Sequence, residues 1–175
     1  MQKGGYKLKF VKKRIIATLS ALLFATLMFN SPQLIYFNKT SSIPLGLYLR
    51  IPANFIRKGD IVCYIPPQKV RDEIIRLTGE PPKETYFIKY VGGLENDVYE
   101  IDNETRMFVV NGEYWGFAHE TNHGGLFMPN HLGKHIVGKN EFLPIAPNSR
   151  SFDGRYTGTV SLDAIVSRAV PLLIF

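Results

Sequence analysis

The chain has 175 residues, 45 % of them hydrophobic, which suits one cored domain plus an extra segment and argues against disorder. Its 21 basic and 15 acidic residues leave a net charge of +6. Lys3, Lys7, Lys9, Lys12, Lys13 and Arg14 all lie before residue 15, so the rest of the chain is balanced, and a nucleic-acid partner is excluded.

Residues 1–14 read as a basic cytoplasmic tail. An uncharged stretch, 15–37, follows as "IIATLSALLFATLMF" and "NSPQLIYF". A basic flank before such a run predicts a transmembrane helix, a signal anchor over 15–37. The segment 15–29 alone reaches roughly 22 Å as a helix, short of a ~30 Å hydrocarbon core. Asn30 to Gln33 would therefore sit near the outer interface, with Tyr36 and Phe37 as anchors. No A-x-A cleavage site follows, which favours a retained anchor over a removed signal peptide. Positive charge stays inside, so residues 38–175 are expected to be exported.

The body of the chain reads as mostly β. The stretches 46–51, 60–65, 86–93, 97–102 and 107–116 are rich in β-branched and aromatic residues, with turns such as "RKGD", "GGLEND" and "VNGE" between them. Residues 70–79 carry the one soluble helical pattern, with Gly79 to stop it. "EFLPIAP" and 159–175 add strand-like or short helical material. The single Cys63, in "DIVCYI", reads as a small buried hydrophobe.

"HETNH" at 119–123 fits H-E-x-x-H, with His131 or His135 as possible third ligand. That motif binds zinc only on a helix, where residues i and i+4 share a face. Strand and turn material precedes it, and Gly124 and Gly125 follow. A polar loop is the better reading, with a zinc hydrolase using His119, Glu120 and His123 as the alternative.

Three other segments carry candidate chemistry. "NKTSSIPLGLY" (38–48) holds Thr40, Ser41 and Ser42, which are either turn caps or a nucleophile that needs a base. Lys89, in "YFIKYVGG", shares a strand face with Phe87 and Val91. It is either an edge gatekeeper or an amine whose apolar surroundings keep it neutral enough to take a serine proton. Ser151, Asp153 and Arg155 alternate in "SFDGRYTGTV" and would face one way on a strand, as a surface ion pair or as a scaffold for a buried lysine.

In this order the segments resemble the type I signal peptidase family, serine peptidases with a Ser–Lys dyad. The nearest likeness is to its conjugative-transfer branch of TraF-type pilin-maturation peptidases. "NKTSSIPLGLY" is similar to that branch's N-x-T-x-S-x-P-x-G-L-Y box, and "RKGDIVCYIPP" to the G-D-I-V segment. "FIKYVGGLENDVYEI" is similar to the lysine box and "SFDGRYTGTV" to S-F-D-S-R-Y-F-G-P-V. Tyr90, Glu95, Asn96, Gly154, Thr157 and Thr159 depart from those patterns.

The resemblance implies coiled antiparallel sheets of the signal-peptidase and LexA type, tethered by one transmembrane helix. It implies Ser42 as nucleophile, with Ser41 as rival, and Lys89 as general base. Thr40 would help form the oxyanion hole, Ser151 would orient Lys89, and Asp153 with Arg155 would brace it. Ile43, Phe87 and Ile88 would line a shallow pocket for small residues. The implied substrate is an exported precursor, a pro-pilin or signal-peptide-bearing protein, cleaved and in some cases cyclised without metal or cofactor. The expected place is the bacterial inner membrane, in contact with lipid, with a periplasmic catalytic domain at 38–175. A non-catalytic assembly factor of a secretion or pilus apparatus is the remaining alternative.

Overall fold

A computed structural model describes residues 4–30, 34–129 and 131–175. The chain divides into two compact units, one ending at Ile35 and one spanning Tyr36–Phe175. The first is helix α1, Gly4–Asn30. It takes in most of the predicted basic tail as well as the apolar run. On its described turns Val11, Ile15, Ile16, Leu19, Leu22 and Leu23 are all more than half exposed.

The predicted span 15–37 needs correction as a transmembrane helix. Residues 31–33, read as interfacial, lie outside the described residues. Ile35–Asn38 forms strand β1, because a β-branched residue followed by two aromatics suits the edge of a sheet, where it lies beside the strand Gly46–Ile51. Among the described residues, no helix is long and apolar enough to cross a membrane.

The second unit is mostly β, as expected, in two antiparallel sheets. Its elements are β2 (Gly46–Ile51), β3 (Ile61–Tyr64), α2 (Gln68–Thr78), β4 (Phe87–Gly93), β5 (Val98–Ile101), β6 (Met107–Val110) and β7 (Glu113–Phe117). There follow β8 (Gly133–Ile136), β9 (Glu141–Ile145), α3 (Gly154–Thr157), β10 (Val160–Ser161) and β11 (Ile165–Ile174). The larger sheet runs β1-β2-β11-β3-β4-β9-β10, and the smaller β7-β6-β5-β8.

Strand periodicity sorts the core. In β3, Val62 and Tyr64 join a cluster with Val91, Phe142 and Val160, while Cys63 points the other way to Ile43, Tyr48, Ile88 and Ala169. A third cluster, with Ile101, Phe108, Leu143, Ile145 and Tyr156, packs β5 and β6 against β9 and α3. Tyr64 meets Phe142 edge-to-face at 5.3 Å, a geometry worth about 1 kcal/mol beyond area burial.

Local chemistry sets the boundaries. Gly79 ends α2 at φ 76°, and its N–H returns to the Ile75 carbonyl. The stretch read as 107–116 is a hairpin, because Asn111 and Gly112 both take positive φ, 50° and 84°, as a two-residue primed turn requires. Gly46 lets β2 approach β11, since a Cβ there would lie 2.1 Å from the Leu173 carbonyl oxygen.

Candidate active site

The loop between β1 and β2 carries Thr40, Ser41 and Ser42. β4 carries Lys89 opposite Val62 of β3. The segment after β9 carries Ser151, whose N–H is held by the Asn148 carbonyl at 2.9 Å. These segments, far apart in sequence, meet at one point. Lys89 Nζ donates to Ser42 Oγ at 2.5 Å and to Ser151 Oγ at 2.6 Å. The two hydroxyls lie 3.1 Å apart.

Ser41 is turned elsewhere. Its Oγ accepts from Asn148 Nδ2 at 2.7 Å. Thr40 Oγ1 donates to Asn38 Oδ1 at 2.9 Å.

Lys89 is only 5 % exposed. Burial pulls its pKa down from 10.5 to about 8, because desolvation disfavours the ammonium; Asp153 opposes the shift and Arg155 adds to it. An amine so poised, in contact with a hydroxyl, can take its proton.

Beneath lies a buried ion pair. Asp153 and Arg155 have fully buried side chains. Arg155 grips the carboxylate as a fork, Nε to Oδ1 at 2.9 Å and Nη2 to Oδ2 at 3.0 Å, and Nη2 also donates to the Ala146 carbonyl at 2.6 Å. Burial pushes the Asp153 carboxyl up, while Arg155 and Lys89 oppose that shift. The expected strand is absent at these residues. Asp153 caps α3 instead, accepting from the Arg155 N–H, because an Asp before Gly154 favours a helix start over extended backbone. Arg155 therefore curls back onto Asp153 rather than alternating with it.

A cleft of about 210 Å³ opens beside this centre, lined by Thr40, Ser42 and Lys89 together with Tyr36, Tyr86 and Phe152. Phe87 and Ile88 line it as expected. Ile43 is not among the lining residues; it is 2 % exposed in the core with Tyr48 and Cys63. Pro82, Lys83 and Glu84 also face the cleft. Sequence reading missed these residues and Asn38, for their spacing carries no periodic signal.

The "HETNH" residues stay apart from this centre. They lie in a loop joined by a single bridge, Thr121 to Phe127. Glu120 pairs with Arg106 at 3.4 Å, and the His123 ring accepts from Arg150 Nη1 at 2.7 Å. His131 and His135 sit ring to ring at 5.6 Å. Among the described residues, no group of three or more His, Cys, Asp or Glu could hold a metal ion.

Two antiparallel sheets and the family match together define a hydrolase, a serine-type endopeptidase. The family described as "Signal peptidase, peptidase S26" matches residues 7–173, so the chain belongs to that family. Its substrates are signal-peptide-bearing proteins. A search of curated proteins found no match.

Proposed function

We infer that this peptidase works through Ser42 and Lys89. The observation that carries the reading is the 2.5 Å contact between Lys89 Nζ and Ser42 Oγ, set against the Ser41 hydroxyl's engagement with Asn148. Precursor peptide enters the cleft. Neutral Lys89 takes the Ser42 proton while Oγ attacks the scissile carbonyl. Ser151, 2.6 Å from Nζ, fixes the amine's direction. The Ser42 N–H and the Thr40 hydroxyl, once turned from Asn38, hold the oxyanion; one such donor is worth about 3 kcal/mol. Lys89 then protonates the leaving amine, and an acceptor releases the acyl group from Ser42.

The box "NKTSSIPLGLY" supports the finer reading of a TraF-type peptidase that matures pilin in conjugative transfer. Water as acceptor yields a cleaved pilin; the substrate's own amine yields a cyclic one, lighter by one water. Mass spectrometry of the product separates the two.

The enzyme works in association with a bacterial membrane, as its family membership suggests. The exposed apolar side chains on the described turns of α1 support a lipid contact. The peptidase unit has an apolar edge of its own, where Phe37 meets Phe175 at 6.2 Å beside exposed Leu45, Leu172 and Leu173.

The test is substitution in the full chain, with precursor cleavage as readout. Ser42→Ala and Lys89→Ala are expected to abolish cleavage while the fold persists, and Ser41→Ala to retain it. Cleavage by Ser42→Ala together with loss in Ser41→Ala would move the nucleophile to Ser41.

A further inference from the structure

Asn38, at the end of β1, is 1 % exposed, and it is the one fully buried polar side chain in the loop that presents Ser42. Its amide nitrogen shares two N–H groups among three carbonyls of that loop, Thr40 at 2.8 Å, Ile43 at 3.0 Å and Pro44 at 3.0 Å. Its Oδ1 accepts the Thr40 N–H at 3.1 Å and the Thr40 hydroxyl at 2.9 Å. The orientation is fixed: turned over, the amide would set its oxygen against three carbonyl oxygens and its nitrogen against an N–H. The Tyr48 hydroxyl closes the loop from β2, donating to the Pro44 carbonyl at 2.7 Å.

We propose that Asn38 is a positioning residue for the reaction, framing the nucleophile loop around Ser42 and holding the Thr40 hydroxyl in reserve until an oxyanion forms. The proposal rests on the Ser42–Lys89 reading above. Chemistry on both sides of the amide supports it. The donors grip carbonyls on either side of Ser42, at Thr40 and at Ile43 and Pro44, so the residue between them is held from both directions. The acceptor serves Thr40 twice. When the hydroxyl swings toward a developing oxyanion, Oδ1 keeps the Thr40 N–H, so the exchange leaves no buried oxygen without a partner. Other side chains fail at this point. Aspartate would face three carbonyls with no N–H, and glutamine is one methylene too long for a site closed to solvent.

The assay is steady-state cleavage of a precursor peptide by the full chain in lipid or detergent, using Asn38→Ala, Thr40→Val and the double variant. Removing one oxyanion donor lowers kcat by about 100-fold or more. Asn38→Ala is expected to fall by a comparable factor, with KM within about threefold of the parent, because the cleft walls are untouched. The double variant is expected to lie within about threefold of the weaker single variant, because Thr40→Val removes the donor that Asn38→Ala leaves unplaced. Parental kcat in Asn38→Ala, or two losses that multiply in the double variant, would overturn the proposal. A variant that loses only thermal stability, with parental kcat in its folded fraction, also overturns it. Should Asn38→Ala not fold, Asn38→Ser takes its place under the same criteria. Failure of both to fold assigns the side chain to folding alone, against the proposal. Ser42→Ala runs alongside: activity there removes the underlying reading, whereas an inactive Ser42→Ala with a fully active Asn38→Ala removes this inference only.

Discussion

Replacing Lys89 with methionine is expected to make the protein more stable at neutral pH while removing its activity. Burial holds the folded lysine's pKa at about 8, against 10.5 when unperturbed. At 1.36 kcal/mol per tenfold, charging this amine in the fold costs about 3 kcal/mol more than in the unfolded chain. The sign follows from the depressed value. Below pH about 8 both states are protonated and the full cost is present. Between about 8 and 10.5 the folded lysine is neutral while the unfolded one still binds a proton, so stability rises with pH; above 10.5 the cost is gone. Methionine removes the charge and fills similar space. The Ser42 and Ser151 hydroxyls, 3.1 Å apart, keep each other as partners. Lost hydrogen bonds offset about 1 kcal/mol, leaving a net gain of about 2 kcal/mol near pH 7. Urea unfolding of both proteins, followed from neutral pH to above 10.5, measures it. A variant no more stable than the parent near neutrality, or a gain constant with pH, would refute the reasoning.

Other outcomes follow from the same centre. The pH profile of kcat/KM is expected to climb tenfold per pH unit and level near pH 8, where Lys89 loses its proton; a limb near the ordinary histidine value, about 6.5, would point to another base. Ser151→Ala removes the 2.6 Å contact to Nζ and is expected to lower the single-turnover rate about 10–100-fold, with little change in KM. Arg155→Met leaves the Asp153 carboxylate buried without its fork and is expected to cost about 3–5 kcal/mol in urea unfolding.

Much of this architecture was legible because local chemistry and tertiary demand agree. β2 spans the stretch read as 46–51, and α2 stops where Gly79 says it must. The face of β4 that joins Lys89 to Phe87 and Val91 follows from period two alone. The departures have physical causes. At 151–155 the alternation of Ser, Asp and Arg imitates a strand, but Asp153 spends its carboxylate on capping α3 and on Arg155. β8 is four residues long and half exposed, too weak a pattern to stand out from "HLGKH". Ile35–Asn38 reads as the end of an apolar run and pairs as an edge strand instead. Asn38 looks like loop material in sequence; its side-chain contacts all fall within residues 38–44 and depend on how that loop curls back, which periodicity does not encode. Ser42 meeting Lys89 and Ser151 is legible only through family resemblance, because composition and periodicity say nothing of contacts between such distant segments.

The place of β11 in the larger sheet bears on when the enzyme becomes dangerous to its surroundings. It lies between β2 and β3, antiparallel to both, with Ala169 opposite Arg50 on one side and Ile61 on the other. Yet it follows Ser42, Lys89 and Ser151 in the chain. Until residues 165–174 arrive, the strand after the serine loop and the strand beside the lysine have nothing joining them. Pairings so distant in sequence form late. A half-synthesised chain thus carries Ser42, Lys89 and Ser151 without the strand that joins their supports.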